Sequence, residues 1–151
     1  MAAMNVVVTG SSGLIGSALY AALQEGGHTV VRLVRKPASA GQSQWNPSAG
    51  SIDASVIDAA DAVVNLAGAG IGDKRWTDDY KRELVDSRVK GTALLASAIS
   101  DSASPPAVFL SGSAIGAYGP TGDEELTESS PLGTTFLADL CRQWEDTATQ
   151  V

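Results

Sequence analysis

The stretch Asn5-Val-Val-Val-Thr-Gly-Ser-Ser-Gly-Leu-Ile-Gly16 constrains the fold more than any other part of the chain. Val6 to Val8 are β-branched and apolar, which suits a strand covered on both faces. Gly10, Gly13 and Gly16 follow at three-residue spacing. Gly10 can adopt the φ values of a sharp turn. Gly13 has no Cβ, so a pyrophosphate can approach its backbone, and Gly16 allows a helix to pack closely on the strand. That helix is expected from about Gly13 to Gln24, with Leu14, Ile15, Ala18, Leu19 and Leu23 facing inward. Its first amides lack intrahelical partners and form an anion site, to which the Ser11 and Ser12 hydroxyls add donors. Strand, glycine turn and helix in this order favour a dinucleotide site over an ordinary βα turn with incidental glycines. The candidate contacts are Gly10, Ser11, Ser12, Gly13, Leu14, Ile15 and Gly16.

A chain of 151 residues, 44% hydrophobic and 18% charged, fits one globular domain over residues 1–151. Its net charge of −7 and lack of a basic run argue against nucleic acid or an anionic membrane as partner. Cys141 is the single cysteine, so no intrachain disulfide forms, which fits a reducing cytoplasm. Cys141 reads better as a small buried helix residue than as a catalytic thiol. His28 is the one histidine, far from Cys141 in sequence, and no metal site is expected. The N-terminus reads directly into the first strand, without a signal peptide, and no apolar run is long enough to span a bilayer.

Thr29 to Val34 reads as a second strand, with Arg35 and Lys36 at its C-terminal end. In a doubly wound sheet this end lies beside the adenosine ribose, where an acidic residue favours NAD. Two cations stand here instead. Arg35 can grip a 2′-phosphate bidentately and Lys36 can add charge, so NADP is expected, with NAD as the alternative. A solvated basic pair is the plainer reading. A Ser, Gly and Pro-rich loop follows, with room for a short strand around Gln44-Trp45. Asp53, a candidate to face the adenine, then opens a short helix through Val56, Ile57 and Ala60.

Asp61 to Gly68 reads as another buried strand whose small end residues let a ligand cross. Thr77-Asp78-Asp79 caps a long helix to about Ser100, with Arg88 among its apolar positions and directed toward the ligand side. Ala107 to Ser111 forms the next strand. An acidic, turn-rich segment from Pro120 to Pro131 leads to a helix from Phe136 to Thr147. Alternating strands and helices indicate an α/β doubly wound parallel sheet, a Rossmann fold.

These residues resemble the extended short-chain dehydrogenase/reductase superfamily of the NAD(P)-dependent sugar epimerase/dehydratase type. The resemblance rests on Gly10-x-x-Gly13-x-x-Gly16, Asn65-Leu66-Ala67-Gly68, Gly91-Thr92-Ala93-Leu94-Leu95, and Ser111-Gly112-Ser113 leading to Tyr118-Gly119. Asp73-Lys74-Arg75-Trp76, Asp86-Ser87-Arg88, Gly122-Asp123-Glu124, Phe136-Leu137-Ala138 and Trp144-Glu145 resemble an atypical epimerase-family subgroup, some of it carried under a cell-division-inhibitor label.

By resemblance, Leu66, Ala67 and Gly68 pass the cofactor pyrophosphate and ribose, and Ser111 is a further cofactor contact. Ser113 holds the catalytic serine position, and hydride passes between nicotinamide and a small hydroxyl or carbonyl substrate, such as a nucleotide sugar. The superfamily's acid/base tyrosine and the lysine four residues on are replaced by Phe136 and Leu140. A phenyl ring cannot transfer a proton, which leaves Tyr118 as the nearby phenol. The resemblance also implies that the last strands of the sheet and a C-terminal substrate-binding portion are missing. Apolar faces are then left for the missing residues, a partner or a second copy. A dinucleotide-binding regulator or scaffold without the chemistry is the rival reading.

Overall fold

The computed structural model describes residues 2–151. Five parallel strands form one sheet: β1 (Asn5–Thr9), β2 (Thr29–Val34), β3 (Gln42–Gln44), β4 (Ala62–Asn65) and β5 (Val108–Ser111), in the order β3-β2-β1-β4-β5. The register pairs Val7 with Val31 on one side and with Val63 on the other, and Val63 in turn with Phe109. Helices α1 (Leu14–Glu25), α2 (Ala54–Asp58), α3 (Asp78–Ser100) and α4 (Phe136–Ala148) link or flank the strands, and a short 3₁₀ turn spans Ile115–Tyr118. This is the doubly wound Rossmann arrangement expected from the alternation of strands and helices.

Strand periodicity divides the core in two. Val6, Val8, Val30 and Ala62 meet Leu19, Tyr20 and Leu23 of α1 on one face. Val7, Leu33 and Val63 meet Ile57 of α2 and Leu95 and Ile99 of α3 on the other, where Trp45 closes the cluster. Full burial of side chains such as Val7, Val63 and Leu95 is worth roughly 1.5–3 kcal/mol each. A third cluster joins Tyr80 and Leu84 of α3 to Leu140 of α4.

The caps follow from the sequence. Thr77 accepts the Tyr80 amide at 3.2 Å, Thr135 that of Ala138 at 3.2 Å, and Asp53 that of Ser55 at 3.0 Å. Asp53 is thus a helix cap, its carboxylate also accepting from the Ser55 hydroxyl at 2.6 Å.

The inward face expected for α1 needs correction. Leu14 is 90% and Ile15 69% exposed, and Ala18 is exposed as well. The contacts to the sheet come from Gly16, Leu19, Tyr20 and Leu23. Two smaller boundaries also shift. The short strand is Gln42–Gln44, with Trp45 buried just beyond it, and β4 ends at Asn65, so Leu66 to Gly68 form a loop. Beyond β4 the α1 side of the sheet is open, with Val108 43% and Leu110 57% exposed.

Candidate functional site

β1 pairs with β2 on one side and β4 on the other. The connections leaving these strands therefore diverge at the carboxyl ends of β1 and β4, the position at which open α/β sheets form a binding crevice. The glycine turn lies there. Gly10 has φ of +66°, and a Cβ on it would lie 2.5 Å from the Leu66 carbonyl carbon and oxygen. A Cβ on Gly16 would lie 2.1 Å from the Gly10 carbonyl oxygen. These two glycines bring the turn, the helix and the β4 loop into close contact. Gly13 differs: a Cβ there would meet only the Gly10 carbonyl oxygen, at 3.4 Å, and otherwise open space.

The first helical bond of α1 runs from the Ser17 amide to the Gly13 carbonyl at 2.9 Å. The amides of Leu14, Ile15 and Gly16 precede it, and no side chain caps them. The Ser11 and Ser12 hydroxyls make no hydrogen bond among the described residues, so the turn presents donors without acceptors.

Beneath this turn lies a buried polar network. The Thr9 hydroxyl donates to Asn65 Oδ1 at 2.7 Å and accepts the Leu66 and Ala67 amides, each at 3.1 Å. Asn65 Nδ2 donates to the Thr92 hydroxyl at 2.8 Å and to Ser111 Oγ at 3.4 Å. One hydroxyl thereby fixes the loop from which Leu66, Ala67 and Gly68 border the crevice. Ser87 holds the next residue by accepting the Ala69 amide at 3.0 Å. Ser111 is drawn into this network and also donates to the Gly112 carbonyl at 3.4 Å.

The third segment at this edge is the loop after β5. Ser113 is exposed, and its hydroxyl donates to the Glu145 carboxylate on α4. Gly112 lies against Trp144, whose ring edge is 3.1 Å from where a Cβ on Gly112 would stand. Arg88 covers the same indole, with Cζ 5.3 Å from its centroid. Arg88 Nη1 donates to the Leu84 carbonyl at 3.2 Å. Burial holds the guanidinium pKa below its ordinary value, an effect partly opposed by Cys141 and Tyr80. Cys141 itself is buried, with Sγ 3.7 Å from the Ala114 carbonyl oxygen. Burial and then the Glu145 charge push its thiol pKa up.

The remaining sequence candidates lie around this edge. Arg35 and Lys36 are exposed just past β2, with no ion pair among the described residues. Tyr118 is half-buried in the 3₁₀ turn, and its hydroxyl has no hydrogen bond among the described residues. Phe136 meets Trp76 edge-on, with ring centroids 5.6 Å apart, and Leu140 is buried against Tyr80 and Leu84. Trp76, Ile115, Phe136 and Leu137 line an open, apolar cavity of about 420 Å³.

The Thr9–Asn65–Thr92 network and the Glu145 contact were not assigned from sequence. A buried strand ending in asparagine signals the first, since a buried amide needs partners. No local pattern signals the second. Among the described residues there is no cluster of His, Cys, Asp and Glu able to hold a metal ion, and no helix long and apolar enough to cross a membrane.

The likeness to known proteins extends over this whole edge. The NAD dependent epimerase/dehydratase family matches residues 6–137. The epimerase family protein Mb2239 of Mycobacterium bovis is 46% identical over 151 residues, covering 99% of this chain and 49% of that protein. A crystal structure of a nucleoside-diphosphate sugar epimerase from Corynebacterium glutamicum superposes with a TM-score of 0.85 at 40% identity, over 99% of this chain and 31% of that one. The human epimerase family protein SDR39U1, crystallised with NADPH, gives 0.84 at 34% identity over 96% of this chain and 48% of that one. The chain spans about half the length of the curated relatives it matches. With the glycine turn, the sheet order and the matched residues in agreement, the chain belongs to the NAD dependent epimerase/dehydratase family.

Proposed function

We propose that residues 1–151 form the NAD(P)-binding domain of an NADP-dependent, epimerase-like oxidoreductase. The observation that carries this reading is the open face of Gly13 beside the uncapped amides of Leu14, Ile15 and Gly16. That space admits a pyrophosphate, and the Ser11 and Ser12 hydroxyls are free to join it. Leu66, Ala67 and Gly68 border the dinucleotide where Thr9 fixes their loop. Ser111 supports that path through Asn65. Arg35 and Lys36 hold the 2′-phosphate of NADP, in keeping with the NADPH in the human SDR39U1 crystal. NAD is the alternative cofactor.

When bound, the nicotinamide supplies hydride exchange with a small hydroxyl or carbonyl substrate, such as a nucleotide sugar. Ser113 polarises the substrate oxygen by a relay: its oxygen accepts the proton of a substrate hydroxyl as its own proton passes to the Glu145 carboxylate, and for a carbonyl substrate the same transfers run in reverse. Tyr118 is the remaining phenol near this loop. The apolar cavity beside Phe136 and Ile115 offers a wall against which a substrate can exclude water. The exposed Val108 and Leu110 suit burial by the remainder of a longer chain or by a second copy. The single cysteine is consistent with a cytoplasmic setting.

One observation favours a second reading, a dinucleotide-binding regulator without chemistry. Phe136 and Leu140 pack into apolar surroundings at the places where the superfamily keeps its tyrosine and lysine. Calorimetry on the full-length protein with NADPH and with NADH, followed by turnover with a panel of carbonyl compounds, separates the readings. Binding with oxidation of NADPH supports the enzyme, binding without oxidation the regulator, and absence of binding to either dinucleotide removes both.

A further inference from the structure

Arg88 is a half-buried cation with no carboxylate in ion-pair contact among the described residues. The chain carries 17 acidic residues against 10 lysines and arginines, so carboxylates are in surplus. All four ion pairs among the described residues join other cations, Lys74, Arg82, Lys90 and Arg142, to side chains at the surface. Among the described residues Arg88 makes one hydrogen bond, to the Leu84 carbonyl, and no ion pair, and its Cζ lies over the Trp144 ring. A guanidinium carries five N–H donors, so most of its capacity is unused. Burying a charge without an anion is costly. Such a group persists where it stabilises packing strongly or where an anion arrives from outside.

Three features point to the second. The guanidinium lies directly against Gly68, at the crevice edge: a Cβ on Gly68 would be 3.0 Å from Arg88 Cζ and 3.2 Å from Nη1. Any larger residue at position 68 would displace the guanidinium. Trp144 is only 7% exposed, so its indole is a fixed face on which the guanidinium rests. Finally, Gly112 packs on the Trp144 edge while Ser113 contacts Glu145 on the next residue of α4. Arg88 and the serine loop thus share one indole.

We propose that Arg88 is an oxyanion-binding residue of this crevice, and that the compound reacting beside Ser113 carries an anionic group, a carboxylate or phosphate, which the guanidinium holds. This deepens the reading given under Proposed function and rests on it. A guanidinium meets either anion in a planar, two-pronged contact, which fixes orientation as well as position. The other oxyanion within reach of such a crevice is a phosphate of the dinucleotide itself, and the experiment separates the two sources.

The test is isothermal calorimetry on the full-length protein, with and without saturating NADPH. The probes are oxalate, pyruvate, inorganic phosphate and, as the neutral counterpart of pyruvate, acetone. Wild type is expected to bind at least one anion and not acetone, with affinity falling as salt is raised. Arg88→Met is expected to weaken that anion by about tenfold or more, with NADPH affinity unchanged within about twofold. A tenfold loss of NADPH affinity, with no loss for the small anions, keeps the oxyanion role but assigns the anion to the cofactor and overturns the claim that the reacting compound carries it. If Arg88→Met changes neither, or if wild type binds no anion and its NADPH affinity ignores the substitution, the guanidinium is packing and the proposal is overturned. Thermal unfolding checks that the variant folds. Should it not, Arg88→Lys keeps stem and charge but loses the fork. A loss of roughly threefold or more in anion or NADPH affinity is then expected, and no loss overturns the proposal. Failure of wild type to bind NADPH removes the functional reading, while the small-anion arm without NADPH still decides the role of Arg88.

Discussion

The Ser113 hydroxyl donates to the Glu145 carboxylate across 32 residues of chain. The serine proton thereby points to α4 and the oxygen lone pairs are free to accept from a substrate hydroxyl; for a carbonyl substrate the relay runs in reverse, from Glu145 through the serine to the substrate oxygen. Helix α4 thus brings a titratable group to the serine, although Phe136 and Leu140 supply none. In the full-length protein, Glu145→Gln preserves the shape of this contact and removes the proton acceptor. Turnover of a substrate found in the carbonyl panel is expected to fall about 10²–10⁴-fold, the usual scale for a general acid or base. Ser113→Ala is expected to do the same, and both should leave NADPH affinity within about twofold. Wild-type turnover in Glu145→Gln would show that the carboxylate only orients the serine.

A second expectation concerns the network that holds the β4 loop. Thr9→Val keeps the shape of the side chain and removes one hydroxyl. Two backbone amides, at Leu66 and Ala67, then lose their acceptor, and Asn65 Oδ1 loses its donor. Leaving a buried polar group unsatisfied costs about 1–3 kcal/mol, so a loss of about 3 kcal/mol or more is expected in urea unfolding. NADPH affinity should fall as well, because the same amides shape the crevice. A loss below about 1 kcal/mol would mean that water replaces the hydroxyl.

The two packed glycines are expected to behave differently from Gly13. Gly16→Ala places a methyl 2.1 Å from the Gly10 carbonyl oxygen, a backbone atom that cannot rotate away. The helix must shift off the turn, and unfolding should move by several °C or the protein should fail to fold. Gly13→Ala meets nothing closer than 3.4 Å. It should fold with a near-normal transition yet bind NADPH at least about tenfold more weakly, since its methyl occupies the space in front of the amides. Thermal unfolding and calorimetry on the pair check this, and equal loss of fold in both would contradict it.

How much of this was legible in the chain depends on the distance between partners. The bounds of β2, Thr29–Val34, and the Thr77 cap were readable because periodicity and capping are local. The glycine spacing gave the turn for the same reason. The face of α1 was misread because Leu14 and Ile15 look like core residues by hydropathy, whereas the first turn of this helix stands at the open crevice. Gly16 makes the close contact there, and a glycine gives no hydropathy signal. Asn65, Thr92 and Ser111 come from β4, α3 and β5, and their meeting follows only from the sheet order. Glu145 was visible as part of a motif, but its contact with Ser113 required α4 to fold back over the β5 loop.

Cofactor choice gives a fourth expectation. Arg35 and Lys36 are exposed at the end of β2 and, among the described residues, make no ion pair that an incoming phosphate would have to break. Arg35→Ala should weaken NADPH by about 1.5–3 kcal/mol, the range for a charge-assisted hydrogen bond, and NADH by much less. The difference should shrink in high salt. Equal losses for the two dinucleotides would show that Arg35 does not read the 2′-phosphate.

Cys141 links pH to stability. Burial, followed by the neighbouring Glu145 charge, raises its pKa, so the folded chain holds the thiol proton more tightly than the unfolded chain does. The folded state then binds more protons between the unfolded thiol pKa, about 8.5, and the higher folded value. The contribution is fully present below the lower limit and is lost as pH rises through the upper one. Stability measured by urea unfolding should therefore fall more steeply between about pH 8 and about pH 10 in wild type than in Cys141→Ala. All other ionisable groups are common to both proteins, so the difference between the curves isolates the thiol. The raised pKa also keeps the thiolate scarce near neutrality, and alkylation of folded wild type by iodoacetamide should be much slower than in urea. Parallel pH curves together with rapid alkylation would place Cys141 at an accessible, reactive position, against its burial beside the Ala114 carbonyl.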